Sequence, residues 1–265
     1  MRVEGAHVLI TGASRGIGAA MARAFSTAGA RVSLAARSEE GLAGVAGDTG
    51  GAVFRADLLD PAQVDNLVHR VESEAGPIDV LVNNAGLESS RLLHQEDVRD
   101  IRDVVRLNLE VPMVLTRAAL PGMLSRGTGS LVFLSSLAGT SAYPGMSVYS
   151  ATKGGINRFA GSLRMELRDT PVNVTVVAAG PVDTEMWDRI EERDNFDPIL
   201  RRMRILQLLP KKAPQFLAQQ TVAGVKSNRR HVRVPRRQLL TYWLGETPSR
   251  LTELLLTGVP FEPER

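Results

Sequence analysis

Tyr149 and Lys153, in the stretch YSATK, stand one helical turn apart. On a helix, positions i and i+4 lie about 40° apart around the axis, so the two side chains share a face and can touch. Such a pair is either an exposed couple whose stems cover a neighbour or a chemical unit. In the second case the cation favours the phenolate and draws down a pKa that otherwise stands near 10, which makes a general acid/base. A second stretch, TGASRGIG over residues 11–18, offers different chemistry. Gly12, Gly16 and Gly18 permit a tight turn and close approach of backbone to a pyrophosphate, while an opening helix supplies unpaired N–H donors and a favourable dipole. Its spacing departs from GxGxxG, but a glycine-rich turn between a strand and a helix reads as a dinucleotide cradle.

The residues farther along fix which dinucleotide. The second strand ends in Ala35, Ala36 and Arg37, with no acid to take ribose hydroxyls. Arg37, with Arg15 in the glycine loop, suits a 2′-phosphate, so NADP is expected over NAD. The alternative is that Arg37 merely begins a solvated helix. Asp57, leaving the third strand, is a candidate for adenine contact or ordinary turn material. Four scattered histidines, His7, His69, His94 and His231, and the absence of cysteine leave no metal-ligand spacing, so no metal is assigned.

The elements that must carry these groups alternate. HVLITG, a helix from about Ile17 to Ala28, RVSLAA, a further helical stretch and AVFRADL set a βαβ rhythm. It continues through a helix near Ala62 to Glu74, IDVLVNNAG, a long helix around Val98 to Arg126, SLVFLSS, the YSATK helix and VNVTVVAAG. The pattern predicts an α/β fold, a Rossmann-type doubly wound sheet of seven mainly parallel strands with helices on both faces.

Together, TGASRGIG, NNAG at 83–86, Asn108, Ser136 and YSATK resemble the short-chain dehydrogenase/reductase family over about residues 5–186. Ser136 lies 149 − 136 = 13 positions before Tyr149, as the family pattern requires. The resemblance implies catalysis by Ser136, Tyr149 and Lys153, with Lys153 also holding the nicotinamide ribose and Asn108 interrupting regular helix bonding. It places Ser14, Ile17, Leu58, Asn84, Ala85, Gly86, Val182 and Thr184 with the glycines, Arg15, Arg37 and Asp57 at the cofactor, and gives Asn83 a strand-tying role. The implied reaction is hydride transfer between a nicotinamide and a carbonyl or alcohol carbon, with Tyr149 giving or taking the proton. Ser136 would stabilise alkoxide charge on the substrate oxygen.

The chain departs from that pattern twice. AAGPVDT has Ala179 where the family commonly has proline, which loosens a loop beside the nicotinamide site unless Pro181 restores it. The usual aspartate and glycine tail is replaced by RRHVRVPRRQLLTYWLGETPSRLTELLLTGVP, read as a short edge strand at residues 232–234 and a helical tail broken near Gly245 and Pro248. One domain, 1–265, is thus expected: a core of about 5–186, a substrate lid of about 185–214, and a basic, apolar extension of about 215–265. The lid's Met186, Trp187, Ile190, Phe196, Ile199 and Leu200 suit a lipophilic substrate.

Between Pro198 and Gly245 there are Arg and Lys residues but no Asp or Glu, although the net charge is only +3. This basic segment reads as a solvated face, with an anionic partner or a membrane surface as the alternative. It lacks the aromatic interleaving or motif of a nucleic-acid binder. No apolar run reaches the length of a membrane span and no export signal is visible, so the expectation is a cytoplasmic homodimer or homotetramer acting on a small molecule. The competing class is a non-catalytic NADP-binding sensor on the same fold.

Overall fold

The computed structural model describes residues 1–141, 143–191 and 210–235. Seven strands, β1 (His7–Thr11), β2 (Arg31–Ala36), β3 (Ala52–Arg55), β4 (Val80–Asn83), β5 (Gly129–Ser136), β6 (Val172–Ala179) and β7 (His231–Val234), form one sheet. Their order is β3-β2-β1-β4-β5-β6-β7 and every pairing is parallel. The strands are apolar on both faces because both faces are covered. In β1, Val8 and Ile10 enter one core while Leu9 enters the other; in β5, Val132 faces the first and Leu131 and Phe133 the second. This is period-two alternation with an apolar residue at each step.

The first core is roofed by α1 (Gly16–Thr27), α2 (Glu39–Thr49) and α8 (Pro214–Lys226). The second is roofed by α3 (Pro61–Ala75), α5 (Val111–Arg126) and α6 (Ser147–Glu166). Side-chain caps start several helices: Ser38 Oγ accepts from the Gly41 amide, Asp60 from Ala62 just before Pro61, and Asp97 from Arg99 at the head of α4 (Val98–Val105). Each cap is worth about 1 kcal/mol. The chain crosses the sheet in opposite directions on either side of β1 and β4, so a crevice opens beyond their carboxyl ends.

Two sequence expectations change. The long helix over Val98 to Arg126 is divided at Asn108, where the resemblance implied an interruption: α4 ends at Val105, a wider π-helical turn occupies Arg106–Glu110, and α5 resumes at Val111. Residues assigned to the extension beyond the core also return to it. The helix α8 packs on α1, and β7 completes the sheet beside β6. Leu217 and Ala218, with Val222, Val225, Val232 and Val234, share one core with Met21 and Phe25 of α1. The helical tail expected around Gly245 and Pro248 and the lid residues Phe196, Ile199 and Leu200 lie outside the described residues.

Part of the basic segment is neutralised locally. Lys211 Nζ lies 2.9 Å from Asp183, 3.0 Å from Asp188 and 3.7 Å from Glu191, and these three carboxylates raise its pKa well above the ordinary lysine value. Of the described helices, none is long and apolar enough to cross a membrane.

Candidate active site

The crevice is built from the ends of four strands. Where β1 stops, Gly12 turns with φ +65°; a Cβ there would sit 2.9 Å from the Ala85 main chain. A Cβ on Gly18 would overlap the Gly12 carbonyl oxygen, so both positions exclude any side chain. The end of β4 is sewn to this turn. Asn84 Nδ2 donates to the carbonyls of Thr11 at 2.8 Å and Gly12 at 3.3 Å, and the amides of Asn84 and Ala85 donate to Thr11 Oγ1. Asn83, expected to tie strands, reaches instead from β4 to Thr116 of α5.

The helix α1 opens after Arg15 with no side-chain cap and no acid in its first turn. Its first amides are therefore offered to an anion, and the residues present fit a dinucleotide pyrophosphate. Arg15, exposed above the loop, pairs with Glu185 at 2.6 Å. Arg37 is exposed just past β2, and Asp57, half-buried past β3, accepts from the Leu59 amide. These lie toward the far end of the crevice from Tyr149. Leu58 puts its side chain into the core, leaving only its main chain to face a nucleotide. Ser14 sits on the loop and Ile17 in the first turn of α1, where it lines the cavity together with Asn84, Gly86, Val182 and Thr184.

Ser136 ends β5 and Tyr149 stands in the first full turn of α6, and both line the same cavity. One turn on, Lys153 is only 4% exposed; its Nζ donates to the Leu134 carbonyl at 3.0 Å and lies 5.6 Å from the centroid of the Tyr149 ring. Burial draws the Lys153 ammonium down to about 8. The phenol moves the other way. Burial pushes Tyr149 up to about 12, the Ser136 hydrogen bond pulls it back in part, and the negative charge of Glu88 raises it further. The sequence led us to expect a lowered value from Lys153, but desolvation outweighs that pull in a pocket wall that is largely apolar. Ser135 is occupied otherwise, its Oγ donating to the Lys153 carbonyl at 3.3 Å.

Asn108 is 1% exposed and occupies the centre of the π turn. Its Oδ1 accepts from the Leu87 amide at 2.8 Å, and its Nδ2 donates to the Leu87 carbonyl at 2.8 Å and to Thr152 Oγ1 at 3.2 Å. It thus locks the loop after β4 to α6, beside Lys153. The loop after β6, expected to be loosened by Ala179, is tied as well. Gly180 donates to the Val234 carbonyl at 2.7 Å, Lys212 to Pro181 at 3.0 Å and Asp183 to Lys212 at 2.9 Å. Thr184 Oγ1 donates to the Val182 carbonyl and opens α7 (Glu185–Glu191). The cavity's remaining wall includes Leu87, Leu137, Tyr143, Met146, Met186 and Trp187. Tyr143 and Met146 were not singled out from the sequence, although the Pro144-Gly145 turn between them, just ahead of the YSATK helix, marks them as entering the site with it.

A family model described as short chain dehydrogenase matches residues 6–195. The chain belongs to the short chain dehydrogenase family. It is accordingly an NAD(P)-dependent oxidoreductase acting on CH–OH and C=O groups. It is 39% identical over 185 residues to the ketoacyl reductase HetN of Nostoc sp., a match covering 68% of this chain and 64% of that protein. To the 3-oxoacyl-(acyl-carrier-protein) reductase FabG of Escherichia coli it is 34% identical over 188 residues, 70% of this chain and 77% of that one. Among solved structures, a short-chain dehydrogenase from Streptomyces avermitilis superposes with a TM-score of 0.80 at 28% identity, covering 97% of this chain and 100% of that one. A metagenomic short-chain oxidoreductase in complex with NADP gives 0.71 at 30% identity, covering 88% and 98%.

Proposed function

We propose that this chain interconverts a lipophilic carbonyl compound and its alcohol with NADP(H), using Tyr149 as general acid/base. The observation that carries the reading is the convergence of Ser136, Tyr149 and Lys153 on one cavity whose remaining wall is apolar. Arg15 and Arg37 at the open end of the crevice support NADP over NAD, as does the NADP bound by the metagenomic relative. The names of the HetN and FabG relatives support an acyl-type oxo substrate.

A bound nicotinamide supplies the hydride in reduction and accepts it in oxidation. The chain does the rest. Ser136 and Tyr149 together offer hydrogen bonds to the substrate oxygen, which gains alkoxide charge as the carbonyl carbon is reduced. Tyr149 passes its phenolic proton to that oxygen. A phenol near 12 is a reluctant acid, so the phenolate left behind needs the Lys153 ammonium and the Ser136 hydroxyl beside it. At neutral pH the tyrosine is loaded with its proton, which supports reduction as the working direction. The apolar wall excludes water from the reacting atoms.

Assembly as a homodimer or homotetramer through the helices bearing Asn108 and Tyr149, in the cytoplasm, completes the reading. Sedimentation tests the assembly, and a chain sedimenting as a monomer would remove it. The reaction is tested by following reduced-nicotinamide absorbance with NADPH and NADH across a panel of carbonyl compounds, for wild type and Tyr149→Phe. Turnover with NADPH on lipophilic members, falling by roughly 100-fold to 10,000-fold in the variant, is the expected result. Tight NADP binding without turnover of any member would instead make the protein a sensor.

A further inference from the structure

The helix α7 supplies part of the cavity wall and is fastened from outside it. Met186, Trp187 and Ile190 line the cavity, and the acids of the same helix, Glu185, Asp188 and Glu191, do not. A helix this short is marginal by itself, and its charges make it more so. Asp188 and Glu191 stand three positions apart, where like charges face each other. Glu191 also places a negative charge at the C-terminal end of the helix dipole. Lys211 offsets both effects, because its Nζ lies 3.0 Å from Asp188 and 3.7 Å from Glu191, and 2.9 Å from Asp183 just ahead of the helix.

That ammonium is carried by a segment tied to the end of the sheet. Val182 and Lys212 form a parallel bridge, with the Lys212 amide donating to the Pro181 carbonyl at 3.0 Å and the Asp183 amide to the Lys212 carbonyl at 2.9 Å. From there the connection runs into the cavity through one carboxylate. Glu191 turns Oε2 to Lys211, and its Oε1 accepts from Trp187 Nε1 at 2.8 Å. Trp187 packs in the cluster of Met146 and Ile190 that also holds Tyr149. The ammonium outside and the indole inside are thus joined by Glu191. One exposed ion pair would contribute little, but three carboxylates on one nitrogen make a network.

We propose that Lys211 is a positioning residue for the substrate: by clamping the acidic side of α7 to the end of the sheet, and through Glu191, it holds Trp187 in the cavity wall and so sets the affinity for long apolar substrates. This rests on the reductase reading of the site. Each methylene that the wall covers adds to binding, so the clamp acts on the gain per carbon and not on the proton transfer.

The test measures kcat and KM with NADPH for straight-chain methyl ketones from butanone to dodecanone, in wild type, Lys211→Met and Lys211→Arg. Lys211→Met keeps the stem and removes the charge, and its melting temperature checks that the fold is intact. In wild type KM should fall as the chain lengthens. Lys211→Met should flatten that fall, raising KM for the longest ketone by about 5-fold relative to the shortest, the scale of a favourable ion-pair network. Its kcat should stay near that of wild type, and Lys211→Arg should restore most of the slope. An equal rise in KM at every chain length, a loss confined to kcat, no fall of KM with length in wild type, or no rescue by arginine would each overturn the proposal. If wild type turns over no ketone, the reductase reading fails by itself, and fluorescence then decides on Lys211 separately. With Trp243→Phe in every variant, Trp187 is the sole tryptophan. Emission that moves to longer wavelength and becomes easier to quench with acrylamide in Lys211→Met, but not in Lys211→Arg, supports the clamp; emission unchanged in Lys211→Met overturns it.

Discussion

The Lys153 ammonium is held where an ammonium is costly, and this sets how the site responds to pH. Its pKa in the fold is about 8 against 10.5 for the ordinary side chain. The cation that stabilises the Tyr149 phenolate in the proposed mechanism is therefore lost as pH rises through about 8, well before the phenol near 12 titrates. We expect reductive kcat/KM to be level through neutral pH and to fall above about 8, and a pH–rate profile in the presence of excess NADPH checks it. The same shift has a stability consequence. The unfolded chain binds this proton more tightly than the native one, so the penalty is fully present below pH 8 and is relieved between pH 8 and 10.5. Lys153→Met should then be more stable than wild type at pH 7, by about 2 kcal/mol once the lost hydrogen bond to Leu134 is set against the relieved burial. Urea unfolding at pH 7 and again toward pH 9.5 should show the gap narrowing; a gap that widens would mean that the lysine is not buried as a cation. Above pH 10 the buried Tyr149 acts in the opposite sense, because its folded pKa is raised. The spacing of Tyr149 and Lys153 was legible in the sequence. The upward shift of the phenol was not, because desolvation depends on Trp187 and Ile190 arriving from elsewhere in the chain.

Among the elements, the turn at Arg106–Glu110 does the most for the site. Residues 98–126 carry an apolar pattern that reads as one helix, and Leu107 and Leu109 do pack toward the core as a helix would place them. What breaks the regular ladder is the need of one side chain to serve three partners. Asn108 must face the Leu87 amide, the Leu87 carbonyl and Thr152 at once, and the π turn aims it there. Neither Leu87 nor Thr152 is near it in sequence, so the break left no mark in the apolar pattern and was expected only from the family resemblance at Asn108. Asn108→Leu, similar in volume but without polar atoms, leaves both main-chain groups of Leu87 buried and unpartnered. We expect it to cost about 2–4 kcal/mol in denaturant unfolding and to lower kcat beyond what the loss of folded protein explains. Asn108→Asp retains an acceptor for the Leu87 amide and loses both donors, so it should fall between the two. If Asn108→Leu were as stable as wild type, the bond network would be incidental to the loop.

At the scale of the whole molecule, the sheet is finished by a piece of chain far from the glycine loop it supports. The six strands up to Ala179 announce themselves as apolar runs between turn residues. The four residues of β7 are fainter, a short stretch with Arg229 and Arg230 before it and Arg233 within it, legible only as the edge strand at residues 232–234 and with none of the family's usual tail beyond. Their place is set by β6, whose Val176, Val177, Ala178 and Ala179 pair with His231 to Val234, and by the Gly180 amide reaching the Val234 carbonyl. The preceding α8 then lies on α1, with Leu217 fully buried in the core they share. The helix whose first amides are offered to an anion is therefore braced from behind by residues 214–226. Leu217→Ala opens a cavity in that brace and should cost about 2–5 kcal/mol in denaturant unfolding. Thermal unfolding separates bracing from binding. A ligand that binds only the native state adds the same stabilisation to any variant that keeps its affinity. If α8 only supports α1, saturating NADP+ should stabilise Leu217→Ala and wild type to the same extent; if packing at Leu217 also sets the angle at which α1 presents its amides, the variant should gain less from the cofactor.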